Sequence, residues 1–192
     1  MGTVTFDISM SLDGYFTATG VTAEEPVGAG GQVLTEWAMG GDPTSSEVAA
    51  AAVSDLGAII CGRRTYDTSL PWWKADGPTG PARVPLFVVT HRPAGEVPDN
   101  GVYTFTDGIE SALQQARAAA GDRDVAVMGG ADIGRQFIRA GLVDRIGIHL
   151  VPVLFGAGQR LFDDIGPEHI RLEVVSVAGA AKATHLVYRV VK

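Results

Sequence analysis

The sequence predicts an α/β protein with a central, mostly parallel sheet, helices on both faces and an antiparallel hairpin at the C-terminal edge. Segments with strand-like patterns alternate with segments of helical periodicity, which is typical of a parallel sheet. Residues 58–61 and 84–90 are almost entirely apolar, as strands covered on both faces are. Residues 171–178 and 183–191 are separated by a short Gly-Ala-Ala-containing segment, which indicates a closing hairpin.

The N-terminal part of the chain is predicted to hold a strand, a long loop and a helix. Residues 4–10 form the strand, because apolar residues occupy every second position. The Gly-rich stretch 13–42 shows no periodicity and is predicted to be an irregular, mobile loop. Residues 44–56 follow as a helix that Thr44 or Ser45 caps. The apolar stripe of this helix is predicted at Val48, Ala52, Val53 and Leu56.

Strands and helices then alternate as far as residue 153. A helix begins near Arg64 and ends around Pro71, and a short strand follows at 103–105. Asp107 and Glu110 have the spacing of a capping box in front of the next helix. The remaining predicted elements are a strand at 124–128, a helix at 131–140 and a strand at 144–153. No linker or repeat divides the chain, so a single domain over residues 1–192 is expected.

Composition and charge argue against several classes of protein. The net charge of −7 disfavours a general nucleic-acid partner, because an acidic surface repels phosphate backbones. The single cysteine, Cys61, permits no internal disulfide, and the four histidines are scattered, so no metal site is predicted. The N-terminus has no signal-peptide pattern, and no apolar run reaches ~18 residues. A cytoplasmic protein without a membrane partner is therefore expected.

Two strand-to-helix turns have the pattern of anion-binding sites. In the first, Gly62 precedes Arg63, Arg64 and Thr65, which place two cations beside the positive end of a helix dipole. That arrangement is favourable when an anion lies between the arginines, and the alternative is that both point into solvent. The second turn offers glycines whose backbone N–H groups a pyrophosphate could approach. Its residues are Gly129, Gly130, Ala131, Asp132 and Ile133.

A third basic segment follows the predicted strand 84–90. Thr90, His91 and Arg92 lie at the carboxyl end of that strand, and such ends share one edge of a parallel sheet. A ribose 2′-phosphate would fit a basic pocket there, which favours NADPH over NADH. The alternative is a solvated turn before Pro93. The chain has no good dinucleotide-binding glycine fingerprint and no phosphate loop of the GKS type.

With these turns located, the sequence resembles the RibD C-terminal domain proteins of the dihydrofolate reductase-like superfamily. Four segments in family order carry the resemblance, at residues 11–15, 62–67, 128–133 and 142–162. The resemblance implies a dihydrofolate reductase-like three-layer fold around an eight-stranded sheet, NADPH as the cofactor, and a homodimer. It also implies phosphate contacts at 62–65, 90–92 and 129–133, with Asp13 and Gly14 bordering the nicotinamide and the substrate.

The leading hypothesis is an NADPH-dependent reductase of a small heterocyclic or carbonyl substrate. Asp13 is the predicted proton donor, although an Asp-Gly pair is equally typical of a turn. Trp37 and Tyr66 are predicted to wall the substrate, with a role in the core as the alternative. Other hypotheses are a riboflavin-pathway pyrimidine reductase, a dihydrofolate reductase, a non-catalytic NADPH-binding module and a flavin-binding oxidoreductase.

Overall fold

The computed structural model describes residues 2–93, 95 and 97–192, and it contains the predicted sheet. The strands of the described residues are Val4–Ser11 (β1), Tyr15–Thr17 (β2), Leu56–Gly62 (β3), Leu86–Val89 (β4), Tyr103–Thr106 (β5), Asp124–Met128 (β6), Arg145–Val151 (β7), Gln159–Arg160 (β8), Leu172–Gly179 (β9) and Thr184–Val190 (β10). Eight of them form the large sheet, in the order β5-β4-β3-β6-β1-β7-β10-β9. Neighbouring strands from β5 to β7 pair in parallel, whereas β10 pairs antiparallel with both β7 and β9.

Among the residues that the structure describes, five α-helices lie between these strands. They are Glu36–Met39 (α1), Pro43–Ser54 (α2), Arg63–Trp73 (α3), Ile109–Ala120 (α4) and Ala131–Arg139 (α5). Short 3₁₀ turns occur at Gly31–Leu34 and Gly80–Ala82, and β2 and β8 form a small sheet of their own. In the described part of the chain, no helix is long and apolar enough to cross a membrane.

The two faces of the large sheet are covered differently. One face carries the main core, in which alternate residues of β1, such as Val4 and Phe6, pack with buried residues of α4 and α5. The opposite face carries two smaller clusters. One lies around Tyr66 of α3, and the other contains Leu34 and Trp37. The cleft described below lies on this second face, between the two clusters.

Four local predictions were wrong. The Gly-rich stretch is not structureless, because β2, the 3₁₀ turn and α1 lie within it and Leu34 is buried. The capping box is absent, since the N-cap of α4 is Gly108 and no side chain bonds to it. The predicted apolar stripe of α2 does not face the core, because Ala52 and Val53 are exposed and Leu56 is buried in β3 rather than in the helix. Asp42, rather than Thr44 or Ser45, caps α2 by accepting the Ser45 N–H at 3.0 Å.

Candidate active site

A cleft of about 860 Å³ opens at the carboxyl ends of β1, β3, β4 and β6. That volume lies in the range of about 300–1,000 Å³ typical of cofactor and substrate sites. Its floor is formed by β1 and β7, where Asp7, Ser9 and His149 line it. One end of the cleft is formed by the two glycine turns, at residues 62–65 and 129–133, and by residues 90–92. Leu34, Thr35 and Trp37 form a wall of the cleft.

The two predicted glycine turns lie against each other at this edge of the sheet. They are adjacent because β3 and β6 pair in parallel, with Cys61 opposite Met128. Gly129 and Gly130 have φ angles of 62° and 72°, a conformation that glycine adopts without strain. A Cβ added at Gly129 would lie 2.8 Å from Thr65 Cγ2, so the turn depends on the missing side chain.

The helices that begin at these turns have no side-chain caps. The N-cap residues of α3 and α5 are Gly62 and Gly130, and neither makes a side-chain capping bond. Uncapped first turns present backbone N–H groups and the positive end of the helix dipole to the cleft. Ala131 and Ile133 are buried, so their backbones rather than their side chains are available to a ligand.

The two arginines of the first turn have partners on the protein. Arg63 donates to Asp67 Oδ1 and to the Pro93 carbonyl oxygen, both at 2.6 Å. Arg64 lies beside Gln159, whose amide oxygen, in the orientation that satisfies both groups, accepts from Nη1 at 2.6 Å. Both arginines line the cleft. Each is held by contacts with neighbouring residues of the protein, so neither simply points into solvent.

Residues 90–92 also border the cleft, as the parallel sheet predicts. Thr90 Oγ1 accepts the Arg92 N–H at 3.0 Å, which stabilises the turn after β4. His91 is exposed and its Nδ1 lies 2.5 Å from Asp107 Oδ1. A local cluster of basic side chains is thus present at one end of the cleft of an acidic protein.

The structure gives Asp13 a role different from the predicted one. Its carboxylate accepts Ser11 Oγ–H at 2.6 Å and the backbone N–H groups of Phe155 and Gly156 at 3.1 and 2.7 Å. These bonds, with that from Ser11 the strongest contributor, lower the pKa of Asp13 to about 2. The carboxylate is therefore ionised at neutral pH, does not line the cleft and is a poor proton donor. It fastens the β1–β2 turn to the segment after β7.

This role predicts a pH-dependent contribution of Asp13 to stability. Because the folded pKa lies below that of the unfolded chain, the contribution is complete above about pH 4 and disappears as the pH falls towards 2. An Asp13→Asn variant should melt at a lower temperature than wild type at pH 7. The difference between their Tm values should shrink between pH 4 and pH 2.5 in thermal unfolding monitored by circular dichroism. A constant difference would show that the ionised carboxylate is not what stabilises this turn.

The two predicted substrate-wall residues have different positions. Trp37 lines the cleft, and its indole N–H donates to Ser9 Oγ at 2.9 Å. Its ring centroid lies 4.1 Å from that of His149. Tyr66 is only 1% exposed, stacks edge-on against Tyr103 and Phe105, and is not among the residues that line the cleft. Tyr66 is therefore a core residue, which was the alternative to a substrate-wall role.

The polar floor of the cleft was not predicted as a site. Asp7 Oδ1 lies 2.9 Å from His149 Nε2, and neither residue is among the predicted site residues. Asp7 occupies a solvent-type position in the alternating pattern of β1, and only pairing with β7 brings it to His149, 142 residues later. The available signal was a histidine inside an otherwise apolar strand.

Cys61 is buried, as expected, and burial raises the pKa of its thiol.

Comparisons with known proteins agree with this architecture. The sequence profile of the RibD C-terminal domain matches residues 2–186. The riboflavin biosynthesis protein RibD of Mycobacterium tuberculosis is 30% identical over 126 residues, which is 62% of this chain and 36% of that protein. The chain therefore spans little more than a third of the length of the curated relatives it matches.

Solved structures share the fold at low sequence identity. A protein of Shewanella sp. PV-4 assigned to riboflavin biosynthesis superimposes with a TM-score of 0.73 at 21% identity, covering both chains completely. Dihydrofolate reductase from Enterococcus faecalis, solved with NADP(H), gives 0.63 at 12% identity and covers 100% of this chain and 98% of its own. The riboflavin biosynthesis reductase Rib7 of Saccharomyces cerevisiae also gives 0.63, at 15% identity, over 99% of this chain and 90% of its own. The three-layer fold is thus dihydrofolate reductase-like.

Proposed function

Because the chain belongs to the RibD C-terminal domain family, we propose that it is an NADPH-dependent reductase of a small heterocyclic or carbonyl substrate. The observation that carries this proposal is the contact between the two glycine turns at the end of an 860 Å³ cleft. A pyrophosphate needs close backbone approach and free N–H groups. Gly62, Gly129 and Gly130 permit the approach, and the first turns of α3 and α5, which no side chain caps, offer the N–H groups. The remaining cleft volume extends over the polar floor, where a substrate would lie against the reacting ring.

The residues around the cleft fit NADPH in charge as well as in shape. Arg64, His91 and Arg92 lie at the end where a ribose 2′-phosphate would be held, and the fixed fork of an arginine suits a phosphate. When bound, NADPH supplies a hydride. The protein then has to align the two reactants, exclude water and deliver a proton. Trp37 and Leu34 provide the apolar wall for this alignment.

The riboflavin pathway is the favoured source of the substrate. The curated relative is a riboflavin biosynthesis protein, RibD, and the family is that of the RibD C-terminal domain. A Thermotoga maritima structure of the same fold is a deaminase and 5-amino-6-(5-phosphoribosylamino)uracil reductase, at 14% identity to this chain. We therefore propose 5-amino-6-(5-phosphoribosylamino)uracil, a phosphorylated ribosylaminopyrimidine, as the first substrate to test. Dihydrofolate is the second.

Cofactor preference gives a direct test. We expect purified protein to bind NADPH more tightly than NADH. The affinities can be measured from the quenching of tryptophan fluorescence, to which Trp37 in the cleft contributes, or from the shift in Tm. An Arg92→Ala variant should lose about tenfold in NADPH affinity and little in NADH affinity, because only NADPH carries the 2′-phosphate. Arg171→Ala, an exposed arginine that does not line the cleft, is the matched control. Equal losses for both nucleotides would place the 2′-phosphate elsewhere.

Turnover separates the enzyme from a binding module. Oxidation of NADPH at 340 nm in the presence of the ribosylaminopyrimidine supports the riboflavin-pathway assignment, and oxidation with dihydrofolate supports the alternative substrate. Tight NADPH binding without oxidation by either substrate favours the non-catalytic module. A yellow preparation with flavin absorbance would favour a flavin-binding oxidoreductase.

We also propose a homodimer, with β9 as part of the contact between copies. β9 is the last strand of the sheet, so one of its edges has no strand partner in the described part of the chain. It exposes Val174, Val175 and Val177 together, and an unpaired apolar edge favours pairing with another chain. A Val175→Lys variant should shift the mass measured by light scattering from dimer to monomer. A monomeric wild type would contradict the proposal.

A further inference from the structure

Four polar side chains form a continuous row of hydrogen bonds beneath the cleft. Asp7 Oδ1 lies 2.9 Å from His149 Nε2, and His149 Nδ1 lies 2.8 Å from His185 Nδ1. His185 Nε2 lies 3.1 Å from Ser45 Oγ. The row starts in the cleft at Asp7 and runs through β7 and β10 to the first turn of α2. We call Asp7, His149, His185 and Ser45 the polar row.

The fold makes room for this row. Asp7 lies directly opposite Gly147 on β7, and a Cβ at Gly147 would lie only 2.0 Å from Asp7 Oδ2. The glycine therefore allows the carboxylate to lean across β7 towards His149. His149 and His185 are also directly opposite each other in the pairing of β7 with β10. Buried polar side chains in such a row are costly unless every one is hydrogen-bonded.

Two different proton inventories satisfy every hydrogen bond in the row. In the first, His149 Nε2–H donates to the Asp7 carboxylate, His185 Nδ1–H donates to His149 Nδ1, and Ser45 Oγ–H donates to His185 Nε2. In the second, one more proton is present and the last two bonds are reversed. His149 then donates from both nitrogens, and His185 Nε2–H donates to Ser45 Oγ. A row with two complete states can accept one proton and release it without leaving a buried group unpaired.

We propose that Asp7 is the catalytic acid of the reductase and that His149, His185 and Ser45 are positioning residues that relay its proton. This proposal rests on the proposed function. Asp7 is suited to contact a substrate because its side chain is 34% exposed and lines the cleft, whereas His149 is 5% exposed and both of its nitrogens are engaged. The substrate class is a ring or carbonyl whose nitrogen or oxygen is reached from the floor.

The reduction then balances in protons and electrons. NADPH, when bound, would supply the hydride that forms the new C–H bond and reduces a C=N or C=O carbon of the substrate. In the second inventory, the Asp7 carboxylate takes the proton from His149 Nε2 and gives it to the substrate nitrogen or oxygen, on which the electron pair of the broken π bond remains. Asp7 is then again a carboxylate, and the row holds one proton fewer, which is the proton count of its first inventory. One proton from solvent restores the second inventory.

The charges around the row are consistent with this role. Burial and the neighbouring His149 lower the pKa of His185, so His185 passes a proton on rather than retaining it. The acidic groups that face the histidines are Asp7 on β1 and Asp42 at the start of α2, and both act against that lowering. Trp37 packs on both imidazole rings and shields them from the solvent on that side.

The first test needs neither substrate nor cofactor. Two-bond ¹H–¹⁵N spectra of the four histidines should show His149 protonated at Nε2 and His185 at Nδ1 at high pH, and the two rings should titrate as a coupled pair. Asp7→Asn should change the titration of both rings, whereas His169→Gln, an exposed histidine outside the row, should change neither. Two histidines that titrate independently, or an Asp7→Asn spectrum identical to wild type, would overturn the relay.

The second test measures catalysis with NADPH and the ribosylaminopyrimidine. Asp7→Asn should lower kcat about 100-fold or more, in the range usual for a lost general acid, with the Kd for NADPH unchanged within twofold. His185→Asn keeps a donor near His149 but cannot relay a proton, so kcat should fall less and its pH profile should shift. Asp7→Asn with wild-type kcat, or His185→Asn with an unshifted pH profile, contradicts the proposal.

The two proposals can fail separately. If wild-type protein does not bind NADPH, the proposed function fails, and the coupled titration of the histidines still decides whether the row exchanges a proton as a unit. If NADPH binds and turnover proceeds but both variants behave as wild type, the reductase stands and the relay fails. Thermal unfolding of each variant identifies a loss of activity that comes from misfolding, and the spectra of the unmutated protein are free of that complication.

Discussion

A Gly129→Ala variant should bind NADPH about 10- to 100-fold more weakly than wild type. The backbone at residue 129 has a φ of 62°, which costs an alanine about 1–2 kcal/mol. The added Cβ would also lie 2.8 Å from Thr65 Cγ2 and so displace the two turns from each other. Loss of one or two N–H contacts to a charged phosphate, each worth about 1.5–3 kcal/mol, accounts for the fall in affinity. Isothermal titration calorimetry measures it.

A matched glycine separates backbone strain from the contact between the turns. Gly141 has a φ of 66°, and an added Cβ there meets nothing within 4 Å. Gly141→Ala should therefore lower Tm but leave NADPH affinity unchanged. Adding Thr65→Ser to Gly129→Ala removes the clashing methyl group and should restore part of the affinity. If Gly129→Ala binds as wild type does, the glycine turns are not the phosphate site.

A Phe6→Ala variant should lose about 3–5 kcal/mol of unfolding free energy, the usual cost of removing a buried aromatic side chain. That is a large share of the roughly 5–15 kcal/mol that stabilises a domain. Phe6 is 1% exposed and lies in the central strand of the main core. Its ring also supports α5, because a Cβ at Gly134 would lie 2.3 Å from Phe6 Cζ. Urea unfolding at equilibrium provides the measurement.

Two further variants test whether the Phe6 effect is local packing. Phe162→Ala removes the same ring from a partly exposed site and should cost far less. Gly134→Ala alone should destabilise the protein by overpacking, by about 1–3 kcal/mol. Combined with Phe6→Leu, which vacates the ring position, its cost should fall. Strict additivity of the two changes would mean that α5 does not rest on Phe6.

The fold could be predicted because its signals are local. The apolar strand 58–61 and the alternation at 4–10 are readable without knowledge of their partners, and both became strands. The glycine turns were equally visible, since each follows a strand and precedes a helix. Parallel pairing then places them at one edge, and the structure brings Gly129 against Thr65.

The cleft floor could not be predicted because it depends on register. Asp7 and His149 belong to segments 142 residues apart, and a shift of one residue in the pairing would turn one of them to the other face of the sheet. Asp13 was misjudged for a related reason. Two of the donors to its carboxylate, the N–H groups of Phe155 and Gly156, belong to the segment after β7, and only the fold places that segment beside it. Together with Ser11, they hold the carboxylate in an ionised, structural state.

The central position of β1 has a consequence for synthesis on the ribosome. β1 is made first, yet its two neighbours in the sheet are β6 and β7, which start at residues 124 and 145. At about 5–20 residues per second, the strand waits roughly 6 to 30 seconds for those partners. During that interval the side chains of Val4 and Phe6 have no core to enter. A nascent chain halted before residue 145 therefore has both glycine turns but lacks β7, and with it the His149 part of the cleft floor.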